Sequence, residues 1–329
     1  MKRSVKFVVS GLIVLTLTIA VLQIWWRFDS AIKVAQARTL QGSVLVTTRC
    51  GPIEYQEAGA GIVLLVVHGG GGGHDQGMAF AGALPQHGIR VIAMSRFGFL
   101  RTPMPVDASP ATQADAHVCL LDALGIQRAA VFGGSAGAPS ATLMAIAYPE
   151  RVSALILLAP LAFKPDAVAD SAKTMSPLVN KVLAGLFTSD FFLWAALHTA
   201  PTQMIRYVLG TPPELVAVAS PQERARVAAI LSNILPLSTR QQGIAGDMAL
   251  AESLVSTPLE TLRLPTLIMA ARDDGFGTYA SAQYTASRIA GARFVGFNEG
   301  GHALVGHNHE IIAEVAKLVK QAGPGRTNV

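Results

Sequence analysis

Three short segments of the sequence contain residue types that together suit acyl-transfer chemistry. Ser135 lies in the segment GGSAG, and two adjacent aspartates, Asp273 and Asp274, lie in LIMAARDDG. His302 lies in FVGFNEGGH, near the end of the chain. A serine nucleophile needs a base to accept its proton, and the base needs a carboxylate that orients it. We therefore predict a catalytic triad made of Ser135, His302 and one of the two aspartates.

The serine lies where a predicted strand turns into a predicted helix. The apolar run at residues 129–134 precedes it, and residues 136–148 have a helical pattern. Gly133 and Gly137 bracket Ser135 in a GxSxG motif, and side chains at these positions would clash in so tight a turn. The motif alone is a weak signal, because the chain contains 31 glycines. The strand–turn–helix context favours a nucleophile over a plain structural turn.

A glycine-rich segment, HGGGGGHDQG at residues 68–77, follows the first apolar run. The negative charge of a tetrahedral intermediate must be met by fixed N–H donors, and a loop without side chains lets a main-chain N–H approach closely. We expect Gly70 and Ala136, the residue after the serine, to supply the oxyanion-hole N–H groups. His68 is expected to hydrogen bond within its own loop. The absence of a following GK[ST] argues against a phosphate-binding loop.

Apolar runs and helical segments alternate through most of the chain beyond residue 40. Short runs rich in Val, Ile and Leu predict strands that are covered on both faces: residues 61–69, 89–95, 129–134, 153–160, 266–271 and 292–297. The helical segments are residues 111–124, 136–148, 279–289 and 310–321. This alternation predicts an α/β fold with a mostly parallel, doubly wound sheet. The serine, aspartate and histidine would follow strand ends, where open α/β sheets place their sites.

Two regions depart from this alternation. Residues 49–59 predict an antiparallel edge hairpin, whereas residues 163–264 contain many prolines and apolar residues at helical spacing. The second region predicts a helical cap inserted above the strand ends. The predicted organisation is therefore an anchor and linker, a first part of the core, the cap and a second part of the core, at residues 1–40, 41–162, 163–264 and 265–329. Residues 323–329 are expected to be frayed.

The N-terminal region predicts a membrane-spanning helix. Residues 7–26 contain no charge, and 20 helical residues span about 30 Å, the thickness of the hydrocarbon core. Trp25 and Trp26 lie at the end of this run, where indoles favour the membrane interface. Three basic residues before it favour a signal anchor with an extracytoplasmic domain. The alternative is a secreted protein with a cleaved signal peptide, for which the nearest A-x-A site is residues 35–37, well downstream.

These motifs resemble those of the α/β-hydrolase superfamily, over residues 49–163 and 264–320. The order Ser, Asp, His is the order of that family. Its members commonly carry an HG-x oxyanion loop, which is HGG at residues 68–70 here. A second family loop, D-x-x-G-x-G-x-S, reads SRFGFLRT at residues 95–102, so Ser95 replaces the acid and Leu100 the second glycine.

The resemblance also chooses between the two aspartates. The family's acid loop is G-x-x-D with the acid in fourth position, and this stretch reads ARDD at residues 271–274. The resemblance therefore implies Asp274 as the triad acid, with Asp273 as the alternative. The proline that usually follows four residues later is Thr278 here.

The predicted function is that of a serine hydrolase, carboxylesterase-like, which cleaves a small or medium apolar acyl compound through an acyl-enzyme and needs no cofactor. The same triad also suits acyl transfer, carbon–carbon bond hydrolysis or haloperoxidase-type chemistry. A hydrolase fold used only to bind a ligand is the non-enzymatic alternative. His307 and His309 remain alternatives to His302 as the base.

Composition argues against other classes of function. The net charge is +5, but no dense basic run or aromatic interleaving accompanies it, so nucleic acid is not an expected partner. The histidine spacings match no zinc pattern and HExxH is absent, so no metal is expected. The two cysteines lack a CxxC spacing. We expect Cys119 to pack in the core as a free thiol, with a disulfide to Cys50 as the alternative outside the cytoplasm.

Overall fold

The computed structural model of the chain describes residues 2–165 and 176–323. Residues 166–175 of the predicted cap and residues 324–329 of the predicted frayed tail lie outside the described residues. Across the described residues, eight strands form one sheet. They are β1 Ser43–Thr48, β2 Gly51–Ala58, β3 Ile62–Val67, β4 Ile89–Met94, β5 Ala129–Gly134, β6 Val152–Leu158, β7 Thr266–Ala271 and β8 Arg293–Phe297.

The sheet is mostly parallel, as the alternation of strands and helices predicts. Its strand order is β1-β2-β4-β3-β5-β6-β7-β8. The strands from β4 to β8 along this order pair in parallel, whereas β2 is antiparallel to both β1 and β4. The carboxyl ends of β3, β5, β7 and β8 therefore lie on one edge of the sheet, which is the edge that carries the predicted site.

The predicted edge hairpin is present, but it begins earlier in the chain than the sequence indicates. The hairpin pairs β1 with β2, and Ser43 lies opposite Gln56. Residues 49–59 hold only the turn and the second strand. Val44 and Leu45 are about half exposed, because β1 is an edge strand. An apolar segment of this kind directly after a long helix gives little signal of a strand.

Helices flank both faces of the sheet and fill the insertion between β6 and β7. Their bounds are α1 Lys2–Leu40, α2 His74–Ala81, α3 Pro110–Ala123, α4 Ala138–Ala147, α5 Pro177–Leu186, α6 Asp190–Thr199, α7 Pro201–Val208, α8 Pro213–Val218, α9 Pro221–Ser232, α10 Gln241–Glu252, α11 Thr278–Arg288 and α12 Asn308–Ala322. We call α5 to α10 the cap helices. The sequence analysis missed α2, which begins directly after the glycine-rich loop.

Burial on both faces explains why the strands are continuously apolar. Leu65 and Val67 of β3 belong to a buried cluster on one face, together with residues of α3, α4 and α11. Leu64 and Val66 point the other way, into a second cluster that includes residues of α12. Successive side chains of a strand alternate between faces, so both sets must be apolar when both faces are covered.

The N-terminal helix α1 has two different halves. Every residue from Val9 to Arg27 is exposed, and an 18-residue window of this helix has a mean hydropathy of 2.0. After Arg27, one face packs against the cap helices through Phe28, Ala31, Ile32 and Ala35, at the i, i+3, i+4, i+7 spacing of a buried helical stripe. By its length and composition, α1 suits a membrane anchor or a signal sequence.

The two cysteines form a disulfide, so the expectation of a free Cys119 is wrong. Cys50 lies in the turn between β1 and β2, and its Cα atom is 6.0 Å from that of Cys119 on α3. Cys119 is buried, as expected, but the hairpin brings Cys50 onto it. The 69 residues between them concealed this contact, because only the pairing of β1 with β2 sets the position of the turn.

Candidate active site

Ser135 occupies the strained turn that the GxSxG motif predicts. Strand β5 ends at Gly134, a single 3₁₀ turn covers Ser135–Gly137, and α4 begins at Ala138. The φ angle of Ser135 is 47°, in the left-handed region that a residue with a Cβ atom rarely adopts. Strain of this kind is stored at functional sites and persists because the surrounding packing holds it.

The flanking glycines are required by close packing. A Cβ atom on Gly133 would lie 2.8 Å from the Cβ atom of Ala141, and one on Gly137 would lie 2.5 Å from the carbonyl oxygen of His68. Both distances are shorter than real Cβ contacts. The turn can therefore approach the first turn of α4 and the end of β3 only when both positions lack a side chain.

His302 connects the serine to an aspartate. Its Nε2 atom is 2.9 Å from Ser135 Oγ, and its Nδ1 atom is 2.8 Å from Asp274 Oδ2. Because the carboxylate accepts from Nδ1–H, Nε2 is left as the acceptor for the serine hydroxyl. The imidazole is about 15% exposed, so a substrate can reach it. The structure thus brings together Ser135, His302 and Asp274.

The two aspartates have different partners. The Asp274 side chain is fully buried, and besides His302 it accepts hydrogen bonds from the Phe276 N–H (2.8 Å) and the Thr278 hydroxyl. Asp273 instead accepts from the backbone N–H groups of the two glycines before His302, Gly300 and Gly301. Asp274 therefore lies in line with the histidine, whereas Asp273 holds the shape of the histidine loop.

The other two candidate histidines lie elsewhere. The His307 ring stacks on Phe297 with a centroid distance of 4.0 Å, and its Nε2 is 3.0 Å from the Glu299 carbonyl oxygen. His309 is exposed in the first turn of α12. Neither residue contacts Ser135.

The glycine-rich loop lies directly against the serine. A Cβ atom on Gly69 would be 2.9 Å from the Cβ atom of Ser135. The Gly69 N–H donates to Gln76 Oε1 (2.9 Å), and Arg96 donates to the Gly69 carbonyl (3.1 Å). Among the described residues, no acceptor binds the N–H of Gly70. The expected oxyanion donors, Gly70 and Ala136, thus come from two segments that meet at the serine.

His68 is held inside this loop, as expected. It is fully buried, its Nδ1–H donates to the Gly69 carbonyl (2.8 Å), and its Nε2 accepts from the Arg96 N–H (2.9 Å). Burial, together with the nearby Arg96 guanidinium, holds the pKa of His68 well below its usual value. A neutral ring that already makes both hydrogen bonds serves the loop and has no free atom for a substrate.

Two arginines that the sequence analysis missed join this loop to the cap helices. Arg96 makes a bidentate pair with Asp247 of α10, with N–O distances of 2.7 and 2.6 Å. Arg240 is fully buried and pairs with Asp75 of α2 at 2.8 Å. These partners are 151 and 165 residues apart, so no motif or local spacing indicates them.

The segment between α7 and α8 hydrogen bonds both to the loop that carries Asp274 and to the loop that carries His302. The Gly210 carbonyl accepts from the N–H of Gly275 (2.7 Å) and from that of His302 (3.2 Å). The Thr211 hydroxyl accepts from the Ala303 N–H (3.0 Å). A segment between two cap helices therefore fixes the relative position of the two loops.

A cavity of about 310 Å³ lies beside Ala136, the residue that follows the serine. From the core it is lined by Phe97, Ala136 and Ser140, and from the cap helices by Asp247 and Leu250 among others. Of the described residues that line it, only Arg96 and Asp247 carry full charges, and they neutralise each other. The cavity therefore offers room for a small uncharged group beside Ala136.

Comparison with known proteins places the chain in a family. The family model for the alpha/beta hydrolase fold matches residues 62–306, which is more than half of the chain. An uncharacterised hydrolase, YcgS, from Bacillus subtilis is 26% identical over 276 residues, which cover 79% of this chain and 91% of that protein.

Two further proteins show the range of activities among similar proteins. A 2-hydroxy-6-oxo-6-phenylhexa-2,4-dienoate hydrolase from Comamonas testosteroni is 38% identical over 113 residues, or 33% of this chain and 40% of that protein. A solved esterase from Exiguobacterium antarcticum superposes with a TM-score of 0.63 at 20% identity, over 84% of this chain and 99% of the esterase. With its matching sheet and family model, this chain belongs to the α/β-hydrolase family and is a hydrolase.

Proposed function

We propose that the protein is a carboxylesterase-like serine hydrolase whose catalytic residues are Ser135, His302 and Asp274. The observation that carries the proposal is the position of His302, which is within hydrogen-bond distance of both the serine and the buried carboxylate. A nucleophile, a base and a group that orients the base are the parts that acyl transfer requires.

The proposed reaction follows from these contacts. Ser135 Oγ attacks the acyl carbon while its proton passes to His302 Nε2, and Asp274 stabilises the imidazolium that forms. The N–H groups of Gly70 and Ala136 bind the negative oxygen of the tetrahedral intermediate. His302 then returns the proton to the leaving alkoxide, and a water molecule repeats the sequence on the acyl-enzyme.

The cavity supports a small or medium uncharged acyl group as the substrate. A carboxylate in this cavity would have to compete with Asp247 for Arg96, and removing it from water without a free cation is unfavourable. An apolar acyl chain next to Phe97 and Leu250 loses no such hydration.

A second candidate reaction is hydrolysis of a 2-hydroxy-6-oxo-dienoate, the type of compound named for the Comamonas relative. This reaction breaks a carbon–carbon bond with the same set of residues. It is favoured by the 38% identity over a third of the chain. The paired state of Arg96 is the feature that argues against it, because such a substrate carries a carboxylate.

Covalent labelling tests the proposed nucleophile. A fluorophosphonate probe should label the full-length protein in detergent, and Ser135→Ala should abolish labelling. The matched control is Ser253→Ala, an exposed serine at the rim of the same cavity, which should label normally. A folded wild-type protein that remains unlabelled would contradict the proposal.

A substrate panel separates the two candidate reactions. We expect kcat/KM to be highest for p-nitrophenyl esters of short or medium acyl chains, and lower for a small amide, a lactone and a 2-hydroxy-6-oxo-dienoate. Preference for the dienoate over every ester would favour the second candidate.

We further propose that residues 7–26 anchor the protein in a membrane, with the catalytic domain extracytoplasmic. The disulfide between Cys50 and Cys119 supports an oxidising compartment. The A-x-A sequence at residues 35–37 lies inside α1, where Ala35 is buried against the cap helices, so cleavage there would cut a packed helix. Secretion after cleavage is the alternative. An alkaline carbonate wash of membranes should leave the protein in the pellet, and full release would count against an anchor.

Residues 1–40, 41–162, 163–264 and 265–329 are proposed as anchor, first core part, cap and second core part. The support is the placement of α5 to α10 between β6 and β7 in the chain and their shared buried cluster.

A further inference from the structure

The docked half of α1 holds the exposed half in a fixed direction relative to the cap helices. Ala35 is 3% exposed, and Arg38 donates to the carbonyl oxygens of Asn233 and Leu235. Near the end of α1, the Thr39 carbonyl accepts from His74 Nε2 at 2.9 Å. Because the helix is continuous from Lys2 to Leu40, the exposed apolar half cannot swing freely about a linker. A membrane that contains this half therefore has a defined position relative to the cap.

A chain of aromatic rings leads from the exposed half of α1 onto the cap helices. The rings of Trp25 and Phe28 are 5.7 Å apart, and Phe28 contacts Phe191 of α6 at 5.3 Å. Phe191 in turn lies 6.0 Å from Phe192, whose side chain is 52% exposed. Aromatic side chains concentrate where a spanning helix leaves the hydrocarbon layer. The ring chain extends that interfacial layer from α1 to α6.

The neighbouring helix α5 carries exposed apolar residues that nothing in the described chain covers. Leu178 is 72% exposed and Val182 is 53% exposed, and they are four residues apart, so they lie on one face of α5. Helix α5 contacts α6, and Leu186 at the C-terminal end of α5 packs against the buried cluster of the cap helices. Lys181, beside Val182, is exposed and would suit an anionic headgroup.

We infer that Leu178, Val182 and Phe192, here called the lipid-facing patch, rest in the interfacial layer of the same bilayer that holds α1. The inference rests on the proposed membrane anchor. Phe192 is joined to the aromatic end of the span by contacting rings, and α5, which carries the other two residues, contacts α6. This continuity identifies a bilayer surface as the occupant. The cap thus makes a second contact with the membrane, and the catalytic domain stands on the lipid surface with a set orientation.

The test uses spin labels on the full-length protein in lipid nanodiscs that contain anionic lipid. Both cysteines of the chain are paired, so Val182→Cys provides a single labelling site. The matched control is Val44→Cys, a similarly exposed valine on β1. Val44 lies just beyond the end of α1. That end, at Leu40, is on the order of 20 Å along the helix axis from Trp26. Leu17→Cys, in the middle of the proposed span, reports on the anchor itself.

Collision rates with oxygen and with a water-soluble nickel chelate give the outcome. The label at residue 182 should favour oxygen and exclude the chelate, as at residue 17, whereas the label at residue 44 should show the reverse. Leu178→Cys should repeat the result for residue 182. A water-like label at residues 178 and 182 beside a lipid-like label at residue 17 would overturn the lipid-facing patch but leave the anchor intact.

Two other results are also decisive. Low collision rates with both reagents at residue 182 would indicate contact with a second protein copy, and would overturn the assignment to lipid. A water-like label at residue 17 would overturn the proposed anchor, and the patch with it. None of these outcomes depends on Ser135, so they leave the proposed hydrolase activity to its own test.

Discussion

The sheet core and the cap helices contribute to the same site in different ways. The core supplies Ser135, Asp274 and His302, each from a loop that follows a strand of one hydrogen-bonded sheet. The cap helices supply contacts that hold those loops, such as the Gly210 carbonyl and the Asp247 carboxylate. The difference teaches that the proposed reactive groups lie on the sheet scaffold, whereas the inserted cap helices position the loops and line the cavity.

The same contrast separates the proposed triad from Arg96 and Arg240, the two arginines of the contact between the core and the cap helices, which we call the seam. Arg96 and Arg240 join the glycine-rich loop to the cap helices through Asp247 and Asp75. Neither arginine hydrogen bonds to Ser135 or His302. We therefore expect core substitutions to affect mainly kcat, and seam substitutions to affect mainly stability and selectivity.

If the chemistry belongs to the core, the largest loss should come from Asp274→Asn. An asparagine cannot hold the required tautomer and charge of His302, and kcat should fall by on the order of 10⁴ with little change in fold. Asp273→Asn is the matched control, since it weakens only the histidine loop, and should cost on the order of tenfold. Steady-state kinetics on a p-nitrophenyl ester measure both. Equal losses for the two variants would contradict the assignment of Asp274.

The seam should be the site of the largest loss of stability. Arg240→Met leaves Asp75 buried without its main partner, and loss of one member of a buried pair costs about 3–5 kcal/mol in free energy of unfolding. The control is Arg206→Met, from a more exposed pair with Glu214 within the cap helices, which should cost less than about 1 kcal/mol. Denaturant unfolding in detergent gives both values. An Arg240 variant as stable as the control would show that the seam does not hold the cap.

A buried histidine of the core, His117, should also make the free energy of unfolding depend on pH. Burial, with a smaller effect of Arg96, lowers the pKa of His117 from 6.5 to about 3. Between these values the unfolded chain binds a proton that the folded chain does not. Stability therefore falls as pH drops below 6.5, by up to about 1.4 kcal/mol per pH unit for this residue.

His117→Gln should remove its share of that slope, whereas His87→Gln, at an exposed position, should leave it unchanged. Unfolding curves at several pH values between 4 and 7 measure the slopes. Part of the slope should persist in His117→Gln, because the pKa of His68 is lowered in the same direction. A His117 variant with the wild-type slope would contradict the prediction.

The smallest effect should be a change of selectivity at the cavity. Asp247→Asn keeps the shape of the side chain but frees the charge of Arg96 for an incoming carboxylate. The kcat/KM ratio of a hemisuccinate ester to a butyrate ester should rise about tenfold. Asp247→Glu, which keeps the charge, should leave the ratio near the wild-type value. An unchanged ratio in Asp247→Asn would mean that Arg96 does not contact the acyl group.

Much of the fold could be predicted because its causes are local. Continuous apolar runs of strand length arise when both faces of a sheet are covered, so β3 to β8 are visible in the sequence. The strand β1 and helix α2 were missed because one is a half-exposed edge and the other is a short helix behind a glycine run. The roles of Ser135, His302, Asp274, Gly70 and Ala136 in catalysis stay predictions that the labelling and kinetic tests address.

The sequence by itself determined the serine turn, since two glycines around a serine between strand and helix satisfy steric limits that act over a few residues. It also determined the apolar N-terminal span, which depends only on composition. The acid-loop motif favoured Asp274 over Asp273, but only the tertiary structure showed that Asp273 binds the glycine N–H groups instead. It also decided that Cys50 pairs with Cys119 and that Arg96 and Arg240 join the cap to the core. The physical reason is that these contacts join residues far apart in the chain, and their partners are chosen by the packing of whole elements.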